Sequence, residues 1–176
     1  MSRVEVRELT DISIMNEVAE ATVHGKAVKA KPEFWFRSEH SPIRAYMFLV
    51  KMFDIPTFVS VHLVRHNIGV THYVSSNRDD RRPDVEAVID RDSPVTHFMV
   101  INAQALIGIS RKRLCMMASK ETIAVWSKIR RAIKEIDPDL AKYMVAECAY
   151  RRGFCPEFKE CGPGAKKVCA AYGLEI

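Results

Sequence analysis

The stretch from Ala45 to Phe53, Ala-Tyr-Met-Phe-Leu-Val-Lys-Met-Phe, carries a single charge. A segment this apolar has to lie inside the molecule, covered by other elements. Its length fits a buried strand or part of a buried helix, and periodicity does not separate the two. In either form the rest of the chain must wrap around it. A chain of 176 residues suffices for about one domain at roughly 150 residues each, with a core that needs no covalent staples. Five cysteines are an odd number, and no secretory leader accompanies them, so a disulfide framework is not expected. No apolar run reaches the ~18 residues of a membrane helix. The composition, 48% hydrophobic and 28% charged, is that of a globular chain. The expectation is a cytoplasmic protein with no membrane partner.

Strand and helix signals flank the apolar run. Val4, Val6 and Leu9 point to a short strand, and Asp11 to the cap of a helix reaching about His24. Residues 25–42, punctuated by Pro32 and Pro42, read as irregular. Pro56 suits the first turn of a helix through Arg65, residues 67–93 read as loop, and Val95 to Ile101 as a strand. Asn102 and Ser119 are cap residues for two more helices. The first runs to about Met117; the second, striped by Ile123, Trp126, Ile129, Ile133 and Ile136, runs to Pro138. A short helix from Pro138 to Cys148 follows. The sum is an α/β (α+β) chain, about half helical, with a small central mixed or antiparallel sheet flanked by helices. The division expected is one domain over 1–147 and a cysteine-rich basic tail over 148–176.

Charge is unevenly placed. Residues 1–100 hold 13 Lys and Arg against 14 Asp and Glu, whereas residues 101–176 hold 14 against 8. A basic half invites an anionic partner: nucleic acid, a nucleotide or a phosphate-bearing cofactor. The stretch Arg65-His66-Asn67, with Ser75 eight residues further on, sets two basic side chains at the end of an apolar helix and before a polar loop. Arginine offers a planar fork for phosphate oxygens and His a donor or a stacking face. The plainer reading is two cations at a helix C-terminus, where they are favourable in any case.

The segment from Pro56 to Ser75 resembles the signature region of the flavin-dependent thymidylate synthases, Arg-His-Arg, seven residues, then Ser. Asn102-Ala103-Gln104-Ala105-Leu106 resembles that family's Asn-Ala-Arg-Ser-Leu run, Arg113 matches its nucleotide-binding arginine, and Glu121 falls at its Gln-x-Glu-Ile helix start. The resemblance covers roughly residues 40–136. It implies reductive methylation of deoxyuridine monophosphate (dUMP) at C5, with methylenetetrahydrofolate as carbon donor, FAD as cofactor and NADPH as reductant. It also implies a homotetramer whose active sites form between subunits, and no cysteine nucleophile. Carried over residue by residue, Arg65, His66, Asn67, Ile68 and Asn102 hold the flavin cofactor. His62, Ser75, Arg78 and Arg113 bind the nucleotide, with Ser75 and Arg113 closest to the catalysis. The protein's part is orientation and electrostatic stabilisation, and the cofactor does the redox chemistry.

The sequence also departs from that pattern. Asn67 stands where the motif has its second arginine, His62 where a glutamine usually precedes it, and Gly108 where an asparagine is usual. Thr71-His72-Tyr73-Val74 replaces a segment of the Tyr-Asn-Glu-Leu type. Ser75 is followed by Ser76-Asn77-Arg78 rather than x-Arg-Tyr, and Ser41-Pro42-Ile43-Arg44-Ala45 lacks the family's Glu-His. A helix that brings another nucleotide-binding arginine is largely missing, leaving Arg82 or Arg91 as substitutes. These losses keep open a relative that binds a pyrimidine nucleotide or flavin without synthase activity, or modifies another pyrimidine nucleotide.

Four cysteines, Cys148, Cys155, Cys161 and Cys169, crowd the last 30 residues. Four thiolates suit zinc, although no pair has the short spacing of a zinc knuckle. With Arg151, Arg152, Lys159, Lys166 and Lys167 around them, a metal-organised nucleic-acid-binding module is a further alternative, although nucleic acid is not the expected partner. The other reading is free thiols in a reducing compartment. His24, His40, His72 and His97 show no ligand spacing and read as surface or hydrogen-bonded histidines; Trp35, between Phe34 and Phe36, reads as a core plug.

Overall fold

The computed structural model describes residues 2–76, 78–81, 88 and 90–173. The apolar run resolves as a strand: β2 (Met47–Pro56) pairs antiparallel with β1 (Arg3–Glu8) on one side and β4 (Pro94–Asn102) on the other. A fourth strand, β3 (Val70–Val74), adds antiparallel to β4, giving the order β1-β2-β4-β3. The sheet is therefore wholly antiparallel among the described residues.

Alternation decides which face is buried. Phe48, Val50 and Met52 of β2 and Val95, His97, Met99 and Ile101 of β4 lie on the covered face, all of them buried. The opposite face keeps Lys51, Phe53 and Phe98 half-buried, with Arg3 stacked 4.2 Å from the Phe53 ring centroid. A positive φ of 54° at Asp54 accompanies the register shift between Met52 and Ile55, a bulge that turns the strand into the next helix.

Eight α-helices are formed among the described residues. α1 (Ile14–Glu20), α2 (Pro32–Ser38) and α3 (Thr57–Val64) precede β3. α4 (Ala103–Arg113), α5 (Lys120–Ile136), α6 (Pro138–Tyr143), α7 (Glu147–Tyr150) and α8 (Gly164–Ala171) follow β4. Two of the three predicted caps hold: the Asn102 Oδ1 accepts the Ala105 N–H at 2.8 Å and the Ser119 Oγ accepts the Thr122 N–H at 3.3 Å. Asp11 instead accepts the Ser13 N–H at 2.8 Å, and Ser13 takes the cap position of α1. Trp126 on α5 is fully buried and donates its Nε1–H to the Ser110 Oγ of α4 at 2.8 Å, locking the two helices together.

Four expectations are corrected. The single helix expected from Pro138 to Cys148 is two, α6 ending at Tyr143 and α7 starting at Glu147. α2 occupies part of the supposedly irregular 25–42, because Pro32 starts a helix whose Trp35 and Phe36 plug the core. β3 occupies part of the supposed loop 67–93, and its short length, next to the polar run that starts at Ser75, hid it. α4 ends at Arg113 rather than about Met117, so Cys115 stands just beyond the helix. No helix among the described residues is long and apolar enough to cross a membrane.

Candidate functional site

Where α3 gives way to β3, the chain passes through Arg65, His66, Asn67, Ile68 and Gly69. Gly69 has φ +73°, and a Cβ placed on it would meet the Asn102 side-chain Nδ2 at 2.7 Å. Only glycine fits there, on both counts. The reward is contact: the Gly69 carbonyl accepts the Asn102 N–H at 3.0 Å, and Asn102 in turn caps α4. The two sequence segments singled out above thus meet at one wall.

That wall borders a cleft of about 520 Å³ lined by Arg44, Arg65 to Gly69, Asn102, Gln104, Ala105, Gly108 and Ile109. The size is that of a ligand site. No carboxylate is among the lining residues, and the first turn of α4, whose dipole favours anions, forms part of its edge. Ile68 is 88% exposed, an aliphatic side chain at the rim.

Behind the cleft lies a chain of histidines. Arg113 donates from Nε to His66 Nε2 at 2.9 Å and from Nη2 to the His62 carbonyl at 2.7 Å. His66 therefore carries its proton on Nδ1. Burial, with help from the Arg113 guanidinium and His72, pushes His66 down to about 4, so it is neutral near pH 7. His72 Nε2 faces the His66 carbonyl at 2.7 Å and must donate. Its Nδ1 then accepts from His97 Nε2 at 2.9 Å, and His97 Nδ1 accepts from the Ser60 hydroxyl at 3.0 Å. Each tautomer follows from the partner chemistry. His97 is fully buried, and burial, followed by the neighbouring His72, lowers it to about 4 as well.

The predicted site residues divide into three groups. Arg65, His66, Asn67, Ile68 and Asn102 line the cleft together with Gly108. His62 and Arg113 stand behind it, with burial and then Arg113 lowering the His62 pKa. Ser75 and Arg78 lie apart, beyond the far end of β3 from Gly69. Ser75 accepts the Thr96 N–H at 3.2 Å, and Arg78 pairs with Asp80 at 2.9 Å. Tyr73 is 58% exposed on β3. Arg91 stacks on Phe58 at 4.6 Å from the ring centroid, and Arg82 lies outside the described residues. Sequence reasoning missed Arg44 as a lining residue, and Ser60, His72 and His97 as a connected network. The strand alternation Val95, His97, Met99 was the available signal for the buried His97.

The four tail cysteines do not all meet at one point. Cys169 is fully buried on α8 and donates its Sγ–H toward the Cys148 carbonyl at 3.6 Å. Cys115, Cys148, Cys155 and Cys161 instead border a small apolar pocket of about 10 Å³, with Met116 and Met117. Burial, foremost, raises the Cys148 thiol to about 11. Among the described residues no group of three or more His, Cys, Asp or Glu side chains is arranged to hold a metal ion.

The architecture defines a class: a four-stranded antiparallel sheet covered by helices, with a basic cleft where β3, β4 and α4 meet. It is the fold of the flavin-dependent thymidylate synthases. Thymidylate Synthase X from Helicobacter pylori, solved with FAD and dUMP, superposes with a TM-score of 0.63 at 12% identity, over 75% of this chain and 93% of that one. The UMP/dUMP methylase PolB from Streptomyces cacaoi, bound with 5-Br dUMP, also has a TM-score of 0.63, at 13% identity over 81% of this chain and 94% of that one. No family model matches the sequence, and no curated protein is similar to it in sequence. The likeness is one of fold.

Proposed function

We propose that the chain is a flavin-dependent thymidylate synthase-like enzyme that methylates dUMP at C5, with FAD as cofactor and NADPH and methylenetetrahydrofolate as co-substrates. The observation that carries this reading is the convergence of Arg65 to Gly69 with Asn102 to Ala105 on one cleft that has cationic and neutral linings but no carboxylate. The solved structures that share the fold bind dUMP or its bromo analogue, and one binds FAD.

The residues present fit a flavin dinucleotide. Gly69 leaves a cradle that any side chain would fill, Ile68 offers an aliphatic face, and Arg65 supplies a guanidinium for phosphate. FAD, when bound, supplies the hydride that reduces the transferred one-carbon unit. In this reading His66 stays neutral and keeps its Nδ1–H as a donor, because Arg113 occupies Nε2. Asn102 offers its Nδ2, since Oδ1 is engaged at the α4 cap. Arg113 keeps Nη1, which makes no hydrogen bond among the described residues, for a nucleotide phosphate. The role of these groups is to orient two anionic ligands and to stabilise charge that develops on the uracil ring.

Ser75 stands about 20 Å of extended chain away from Gly69, and Arg78 follows it beyond β3. In the proposed homotetramer they serve the cleft of a neighbouring copy. Exposed Ile68, Tyr73 and Val74 along this edge support an oligomer. The test is a visible spectrum of the purified protein with FAD, then single turnover with dUMP, methylenetetrahydrofolate and NADPH. Thymidylate formation supports the reading; a protein that ignores added FAD sinks it. Asn67, a neutral residue at a position where the motif is charged, favours a second reading: a flavin- or nucleotide-binding relative without synthase activity. Flavin bound without product would select it.

A further inference from the structure

Resting on the flavin-binding reading, we infer that Arg44 takes over the anion-binding duty left vacant by Asn67, and that it grips the diphosphate of a dinucleotide. Arg44 projects from the 3₁₀ turn Ser41–Ala45. Pro42, Ile43 and Tyr46 are buried around it, so the backbone beneath the side chain is fixed. Its Nε donates to the Gln104 Oε1 at 2.6 Å, across 60 residues of chain. An arginine pinned through Nε presents its two Nη groups, the fork that matches two phosphate oxygens.

The identity of the pinning group decides the case. Arg78 is neutralised by Asp80, Arg111 by Glu39 and Arg151 by Glu147. Arg44 is held instead by a neutral amide, and it makes no ion pair among the described residues. Its charge is thus oriented but not compensated, on a cleft whose lining holds no carboxylate. Gln104 belongs to the first turn of α4, so the helix N-terminus adds its own partial positive charge on the same side. Arg65 enters the cleft from the other segment, also without an ion pair among the described residues. Two uncompensated guanidinium groups from separate elements suit a ligand with two adjacent phosphates better than a monophosphate. The 41–45 turn thus adds a second guanidinium to the one that the 65–69 segment supplies.

Fluorescence titration of the full chain with FAD and with riboflavin, which lacks phosphate, tests this. Arg44→Gln should weaken FAD about tenfold and leave riboflavin unchanged. The double variant R44Q/N67R should regain most of the lost affinity, because the charge returns to the same cleft. FAD affinity within twofold of wild type in R44Q, an equal loss for riboflavin, or a double variant no better than R44Q would each overturn the inference. If wild type binds neither flavin, the proposed function falls, and inorganic pyrophosphate decides Arg44 separately. Tighter binding of pyrophosphate to wild type than to R44Q sustains it, and equal or absent binding overturns it.

Discussion

At its N-terminal end α4 borders an open cleft of about 520 Å³; beyond its C-terminal end the cysteines enclose a hollow of about 10 Å³. The first is rimmed by two arginines, two asparagines and a glutamine, with no carboxylate among them. The second is lined by thiols, methionine side chains and aliphatic groups together with Glu147 and Glu157, and burial keeps Cys148 protonated. One helix thus separates a space that stays open from one that packs nearly shut. Polar groups held apart by their own hydrogen bonds prevent collapse at one end, whereas sulfur side chains adapt to fill gaps at the other. In the proposed reading the first takes the ligand and the second contributes cohesion.

The largest test removes what both ends share. Trp126→Ala deletes a fully buried indole and its N–H bond to the Ser110 Oγ, whose hydroxyl keeps donating to the Leu106 carbonyl. The expected loss is about 3–5 kcal/mol, read as a fall in the denaturant midpoint, with flavin binding and thiol protection lost together. Survival of either alone would mean that the two regions do not depend on the same helix packing.

Acid separates them next. His66 and His97 are lowered by burial to about 4, below the ~6.5 of an unfolded chain. The unfolded state then binds more protons between these values, so stability is full above about pH 6.5 and falls as pH drops toward 4. His97, fully buried, accounts for roughly 2–3 kcal/mol of that loss. Denaturation at pH 7 and pH 4.5 should show the decline, and His97→Gln should flatten it. Cys148, with its thiol at about 11, remains neutral over this window and should resist alkylation throughout.

Much of the cleft was legible in the sequence, and the reasons are local. Asn102 advertises itself as a cap, and Arg65 to Ile68 lie at the end of a short helix that Pro56 begins. Arg44 was not legible as a partner of Gln104, because 60 residues separate them and only β2–β4 pairing brings them together. β3 was hidden because an edge strand with Thr71, His72 and Tyr73 has no apolar alternation to display. The tail misled for a similar reason: Cys148 and Cys169 are neighbours in space, yet the fourth thiol at the hollow is Cys115, from another segment. Spacing along the chain encodes knuckles, not pockets assembled from distant turns.

Two glycines on the cleft sharpen the contrast at smaller scale. Gly69→Ala forces a Cβ to within 2.7 Å of the Asn102 amide at φ +73°, a left-handed conformation that costs a side chain about 1–2 kcal/mol before any clash. Thermal unfolding should show that loss, and FAD affinity should fall with it while thiol reactivity in the tail stays unchanged. Gly108 is the opposite case. It lies inside α4, and a Cβ there meets nothing within 4 Å. Replacing it with Ala removes the conformational penalty of a helical glycine, so stability should rise by about 0.5–1 kcal/mol. The new methyl lies in the cleft lining, however, and flavin affinity should fall even as the melting temperature rises. A variant that is more stable and binds just as well would show that this stretch of α4 is not in contact with the ligand. The cleft would then be shorter than its lining suggests, confined to the Arg44–Gln104 and Arg65–Gly69 end.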